Sequence, residues 1–273
     1  EAVAGSSAGS IVISAGATVG RSGTAGTIEI AGGAAASDSV DGGSVRLAGG
    51  SSQSGVGGHL AMTGGSSYDG VTGSVKLSSK DSSLTSGSIT FSTGSAGVGG
   101  SGSVSVHTGD AKHGIAGNVD LVSGNGATSG GSILVQSGSG ATAGSFELIS
   151  GKSATVDQVG KVSVSSHGSL TVDSLSQAVS ETGRIDIRSG DASTTSSGEV
   201  TISSGDSSNG PGGVHIQAGL SRGFDVNGAG VDLQAGDSTA ATGGVLSLSG
   251  GAGSSGGDVM IRRGAGGIST GGN

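Results

Sequence analysis

The stretch Gly43-Ser44-Val45-Arg46-Leu47-Ala48-Gly49-Gly50 carries the rule on which the whole protein is built. It reads Gly, any residue, apolar, any, apolar, any, small, Gly. The same eight-residue pattern returns as Gly102-Ser103-Val104-Ser105-Val106-His107-Thr108-Gly109. Seventeen copies follow one another, with their first apolar residue at Ile11, Ile28, Val45, Leu60, Val75, Ile89, Val104, Val119, Ile133, Phe146, Val162, Ile185, Val200, Val214, Val231, Leu246 and Val259. A period this short and this persistent is the signature of a repeat array.

Within each copy, apolar and polar residues alternate, as on a strand with one covered face. The apolar column runs Ile11/Ile13, Ile28/Ile30, Val45/Leu47 and onward to Val259/Ile261. The residue between the pair varies freely: Glu29, Arg46, Lys76, Asp120, His215. The expected fold is therefore all-β, a parallel β-solenoid (a two-sided β-roll or β-helix) of about 17 coils of about 15 residues each. A second, shorter strand is expected on the return half, marked by Val40, Val56, Val71, Leu84, Val98 and Ile115. Coils stacked ~4.8 Å apart would make a rod roughly 80 Å long.

The glycines bracket each copy. A Gly closes fifteen copies, with Lys80 and His167 in the other two, and a Gly opens sixteen, with Ala229 the exception. Corners that need positive φ would explain them, because Gly reaches that region without a Cβ penalty. The position before the closing residue is small in every copy but the last, which has Arg263: it reads Ala15, Gly32, Gly49 and Gly64, and then Ser or Thr from Ser79 to Ser204. Nine adjacent hydroxyls there suggest a hydrogen-bonded ladder along the array.

One domain spans 1–273, with regular coils over about 9–264 and irregular loops near 168–183 and 220–230. A return strand is expected at Leu170–Val172, and a protruding loop or helical turn near Ser174–Glu181. Of the 273 residues 62 are Gly, with no Cys, no Trp, one Tyr and three Phe, so any core must be thin and aliphatic. The net charge of -8 argues against nucleic acid as a partner, which needs clustered cations. No apolar run approaches the ~20 residues of a membrane span.

Several residue patterns touch on chemistry. Asp follows the closing position at Asp81, Asp110, Asp191, Asp206 and Asp237. Turn capping by the Asp side group accounts for this column. Calcium is the alternative, with Asp191, Asp206 and Asp237 as its candidate ligands. The five histidines, His59, His107, His113, His167 and His215, are scattered along the sequence and make no metal or catalytic set. Gly-x-Ser-x-Gly at Gly5–Gly9 and Gly253–Gly257 opens no helix, so neither is a nucleophile elbow. Gly151-Lys152-Ser153 matches only the tail of a phosphate loop. No catalytic residues and no cofactor are assigned, and the protein reads as a non-enzyme.

The Gly-x-apolar-x-apolar-x-small-Gly repeat resembles Gly/Ser-rich short-coil β-solenoid repeats of extracellular fibres and adhesins, over nearly all of residues 9–264. That resemblance implies a structural protein at the cell surface or outside the cell. Such a protein would form a rigid filament or fibre by end-to-end stacking, its partner being itself, head to tail, or the continuation of a longer array. The alternative is a surface adhesin that holds glycans. A lesser alternative is ice binding, against which the outward positions mix Glu, Arg, Lys, Ser and Asp in place of a regular Thr face.

Overall fold

The computed structural model describes residues 8–19, 22–37, 39–153, 160–174, 182–193 and 196–264. Among the described residues there is no helix and no β-strand, and no hydrophobic residue is buried. The β-solenoid expected from the periodicity is not formed. The accessible surface is 27274 Å² for a mass of 25.1 kDa. A compact fold of that mass exposes roughly 10,000 Å² and an extended polypeptide roughly 36,000 Å². Most apolar residues thus stay in contact with water.

The protein divides into two units, Glu1–Val135 and Gln136–Asn273. Each is organised in the same local way. In the first, the backbone N–H of an opening Gly donates to the carbonyl of the preceding closing Gly. The pairs are Gly26 to Gly16 at 2.9 Å, Gly43 to Gly33, Gly58 to Gly50 and Gly73 to Gly65 at 2.8 Å, and Gly131 to Gly124 at 2.9 Å. The second unit repeats this with Gly144 to Gly138 at 2.9 Å, and with Gly244 to Gly236 and Gly257 to Gly251 at 2.8 Å. Ala229 to Gly219 is longer, at 3.4 Å.

These bonds are not the ones a coil stack would make. A parallel coil stack would set each residue beside its equivalent in the next copy, so that Gly26 would lie beside Gly9. Gly26 instead reaches back to Gly16, across the loop that joins its own copy to the one before. Among the described residues nine of the sixteen junctions are loops pinched shut by one such hydrogen bond, and no ladder of strand pairing extends from the pinch. The return strand is absent too: Val56, Val71, Leu84, Val98 and Ile115 lie in the loops between copies, fully or nearly fully exposed. Leu170 and Val172 are likewise exposed and in no strand. The helical turn expected near Ser174–Glu181 falls on 175–181, outside the described residues.

The other irregular stretch is a turn at 223–225, where Asp225 has φ 56° and Phe224 is fully exposed. It sits inside the loop closed by Ala229, the one copy opened by a residue with a Cβ. A Cβ built on most of the opening glycines meets the closing residue: Gly43 would touch Gly33 N at 2.8 Å, and Gly58 would touch Gly50 N at 2.9 Å. Ala229 carries that atom, and its bond is the longest of the set.

The closing glycines need correction. None of those described has positive φ; that region is occupied by Gly23, Gly99, Gly114 and Gly210, inside loops. A Cβ on Gly16, Gly50, Gly124 or Gly236 would meet nothing within 4 Å. The steric requirement falls on the opening residue and on the small residue before the closing one. Where that small residue is Gly32, Gly49, Gly64 or Gly250, the carbonyl of the facing opening Gly fills the place of its Cβ. Where it is larger, the small residue's own atoms stand across the opening Gly. Ala235 Cβ lies 3.5 Å from a Cβ placed on Gly244, and Thr93 Cγ2 lies 3.5 Å from one on Gly102. The hydroxyl ladder does not form: among the described residues no hydrogen bond links these Ser and Thr hydroxyls, and Ser166 bonds only within its own turn, to Gly168 and Ser169.

Local alternation is seen in several copies. Leu134, between the two apolar residues of its copy, is 84% exposed against 50% for Ile133 and 60% for Val135. Pairs of residues two apart meet on the opposite face. Arg184 and Asp186 form an ion pair, His215 Nε2 lies 3.2 Å from Gln217 Oε1, and Ser105 Oγ lies 3.4 Å from His107 Nδ1. Each pair occupies the variable positions of one copy, which share a face only if the stretch is extended.

Candidate functional site

The recurrent local feature with defined geometry is the loop between copies. In five of these loops the turn is held by a serine two residues past the closing position. Ser52 Oγ accepts from Gly55 N–H at 2.8 Å, Ser67 from Gly70 at 2.9 Å, and Ser238 from Ala241 at 2.9 Å. Ser82 accepts from Leu84 at 3.2 Å, and Ser207 from Asn209 and Gly210 at 3.2 and 3.4 Å. A short hydroxyl residue bonding its own backbone two or three positions on replaces a backbone turn bond. In a loop this rich in Gly it supplies the restraint that a packed core would otherwise give.

This reassigns the Asp column. Asp81, Asp206 and Asp237 each stand directly before a capping serine, Ser82, Ser207 and Ser238, and it is the serine that accepts the loop N–H. The aspartates accept none of these bonds and remain exposed. The signal was present in the sequence as the recurrence of Ser at this offset, and it was hidden by the abundance of Ser everywhere else. Replacing Ser67 by Ala should shift the Gly70 amide toward solvent-like behaviour, a loss of about 0.5–1.5 kcal/mol at most. The Gly73 amide, bonded to Gly65, should be unchanged. Amide temperature coefficients by NMR read both at once.

The calcium candidates Asp191, Asp206 and Asp237 lie in three separate loops of the second unit. Among the described residues no group of three or more His, Asp or Glu residues is placed to hold a metal. His107 pairs with Ser105 and His215 with Gln217, both in the open, and among the described residues no carboxylate completes either pair. Gly253–Gly257 lies inside the loop closed by Gly251 and Gly257 and precedes no described helix. The other Gly-x-Ser-x-Gly falls largely on residues 1–7, outside the described ones. Gly151-Lys152 is exposed and leads into no described helix.

The Arg184–Asp186 pair is 80% and 43% exposed, so water screens it. Such pairs contribute ~0–1 kcal/mol. It marks the outward face and does not build a site. No described helix is long and apolar enough to cross a membrane. No protein-family model, no characterised protein and no solved structure matches this sequence.

Proposed function

We propose that this is a structural repeat protein that works by associating with itself, outside the cell or on its surface. The observation that carries this reading is the exposed apolar pair, repeated in every copy at intervals of 13–17 residues but for one of 23. Val45 is 49% exposed and Val200 48%, and their partners Leu47 and Ile202 are more open still. A single exposed aliphatic residue needs no explanation. Thirty-four such apolar residues repeated along one sequence favour a partner with the same spacing. A second copy has that spacing by construction. The variable positions between them are polar or charged, and a net charge of -8 keeps association from running to unspecific aggregation.

The rigid rod built by stacking solenoid ends does not enter this proposal. Order here would come with association, the extended repeats pairing between molecules and covering their apolar pairs as they do so. Circular dichroism and sedimentation velocity across a concentration series test it. Larger species should appear with rising concentration, and a β signal should grow with them. A protein that stays monomeric and without β signal up to millimolar concentration would remove the reading.

A further inference from the structure

The loops hold a second kind of chemistry. Of the five Asn residues, Asn125, Asn209 and Asn227 each precede Gly, while Asn118 precedes Val119. All four are exposed. We propose that Asn125 and Asn227 are sites of spontaneous deamidation, with Asn209 held back by a hydrogen bond.

The reaction uses only the polypeptide and water. The backbone nitrogen of the following Gly attacks the amide carbon of the Asn side group, forming a C–N bond and closing a five-membered succinimide. The bond from that carbon to its amide nitrogen breaks, and the nitrogen leaves as ammonia with the proton lost from the Gly nitrogen. Water then opens the ring at either carbonyl, giving aspartate or isoaspartate. Glycine favours the step because it has no Cβ to shield its nitrogen or to restrict the turn needed for ring closure.

The three sites differ in the state of the attacking nitrogen. Among the described residues, Gly126 and Gly228 donate to no partner, so their N–H groups are open to water and base. The Gly210 N–H donates to Ser207 Oγ at 3.4 Å, and Ser207 also takes the Asn209 N–H. That turn must open before Gly210 can attack. Asn118 lies inside a repeat copy, with the β-branched Val119 after it, and serves as the internal control.

The position of Asn125 gives the change a consequence. It directly follows the closing Gly124, where other loops carry Asp81, Asp110, Asp191, Asp206 and Asp237. Deamidation turns Asn125 into a member of that acidic column and adds a negative charge to a protein already at -8. Isoaspartate at 125 also lengthens the backbone inside the short loop that the Gly131 N–H closes on Gly124.

The test is incubation of the full-length protein in mildly alkaline buffer made with heavy-oxygen water, followed by peptide mapping. Peptides holding Asn125 and Asn227 should take up the label and split into aspartate and isoaspartate forms, while the Asn118 peptide stays unlabelled. Asn209 should react several-fold more slowly, and Ser207→Ala should bring it to the rate of the other two. A Cβ on Gly228 meets nothing within 4 Å, so Gly228→Ala leaves the loop intact. It should slow Asn227 by roughly tenfold or more through the hindered nitrogen alone. Absence of label at both Asn125 and Asn227, or label at Asn118 at the same rate, would overturn the assignment. An unchanged Asn209 in Ser207→Ala would overturn the control by Ser207.

Discussion

Gly58→Ala will open the loop that Gly58 closes on Gly50, and Gly50→Ala will leave it shut. The two glycines lie at opposite ends of one 2.8 Å hydrogen bond, yet their surroundings differ. A Cβ on Gly58 would come 2.9 Å from Gly50 N and 3.5 Å from Gly49 Cα. Both are backbone atoms of the partner segment and cannot rotate aside. A Cβ on Gly50 meets nothing within 4 Å, and Gly50 is not in the left-handed region. Ala there should be neutral, or slightly favourable because it restricts the open polypeptide. The sequence already contains the first experiment in natural form: Ala229 occupies the opening position of its copy, and its bond to Gly219 is stretched to 3.4 Å. Ala229→Gly should therefore tighten that loop. The change at Gly58 should amount to about 1 kcal/mol, the net value of one backbone hydrogen bond. The NMR temperature coefficient of the Gly58 amide, or of residue 229 in the reverse variant, reads it directly. Equal shifts in Gly58→Ala and Gly50→Ala would show that the pinch is not sterically one-sided.

The sequence makes the alternation and the positions of the loops legible, and both are seen. Leu134 is more exposed than Ile133 and Val135 on either side of it, and Arg184 meets Asp186 across Ile185. What it hides is which backbone segment pairs with which. Register between segments is normally set by residues that must share a covered face. Here the pairing atoms belong to Gly16 and Gly26, or Gly65 and Gly73, residues with no Cβ to announce a partner. A stacked coil and a pinched loop use the same glycines at the same places, so periodicity alone does not separate them. The thin aliphatic composition decides between them. Two apolar residues per copy, with no Trp and with Phe only at Phe91, Phe146 and Phe224, bury too little to offset the ordering of a polypeptide with 62 Gly. The loop chemistry was hidden for a different reason. Ser52, Ser67 and Ser238 act through an offset from the closing glycine, and that offset does not stand out in a sequence so rich in Ser.

Val104→Asp will separate the single molecule from its assembled form. In the molecule alone, Val104 is 63% exposed, so a carboxylate there stays hydrated and should change little. Ser105→Asp, one residue on, should be equally silent in the monomer. Association changes this for Val104 only. If the apolar column meets the column of another copy, Val104 loses its water and an Asp in its place must be desolvated without a partner. Burial of one Val contributes ~1.5–3 kcal/mol. Its replacement by a charge should raise the concentration for assembly by about tenfold or more, since ~1.4 kcal/mol is a factor of ten. Position 105 lies on the face where Ser105 meets His107, which the proposal leaves in water, so Ser105→Asp should assemble like the parent protein. Repeating the change at Val45 and Val200 should compound the loss, because the three copies lie far apart in sequence. Sedimentation velocity on parent, Val104→Asp and Ser105→Asp at matched concentrations gives the comparison. Assembly lost equally in both variants would mean that charge alone drives it. Assembly kept in the Val45, Val104 and Val200 triple variant would mean that the apolar pairs are not the contact.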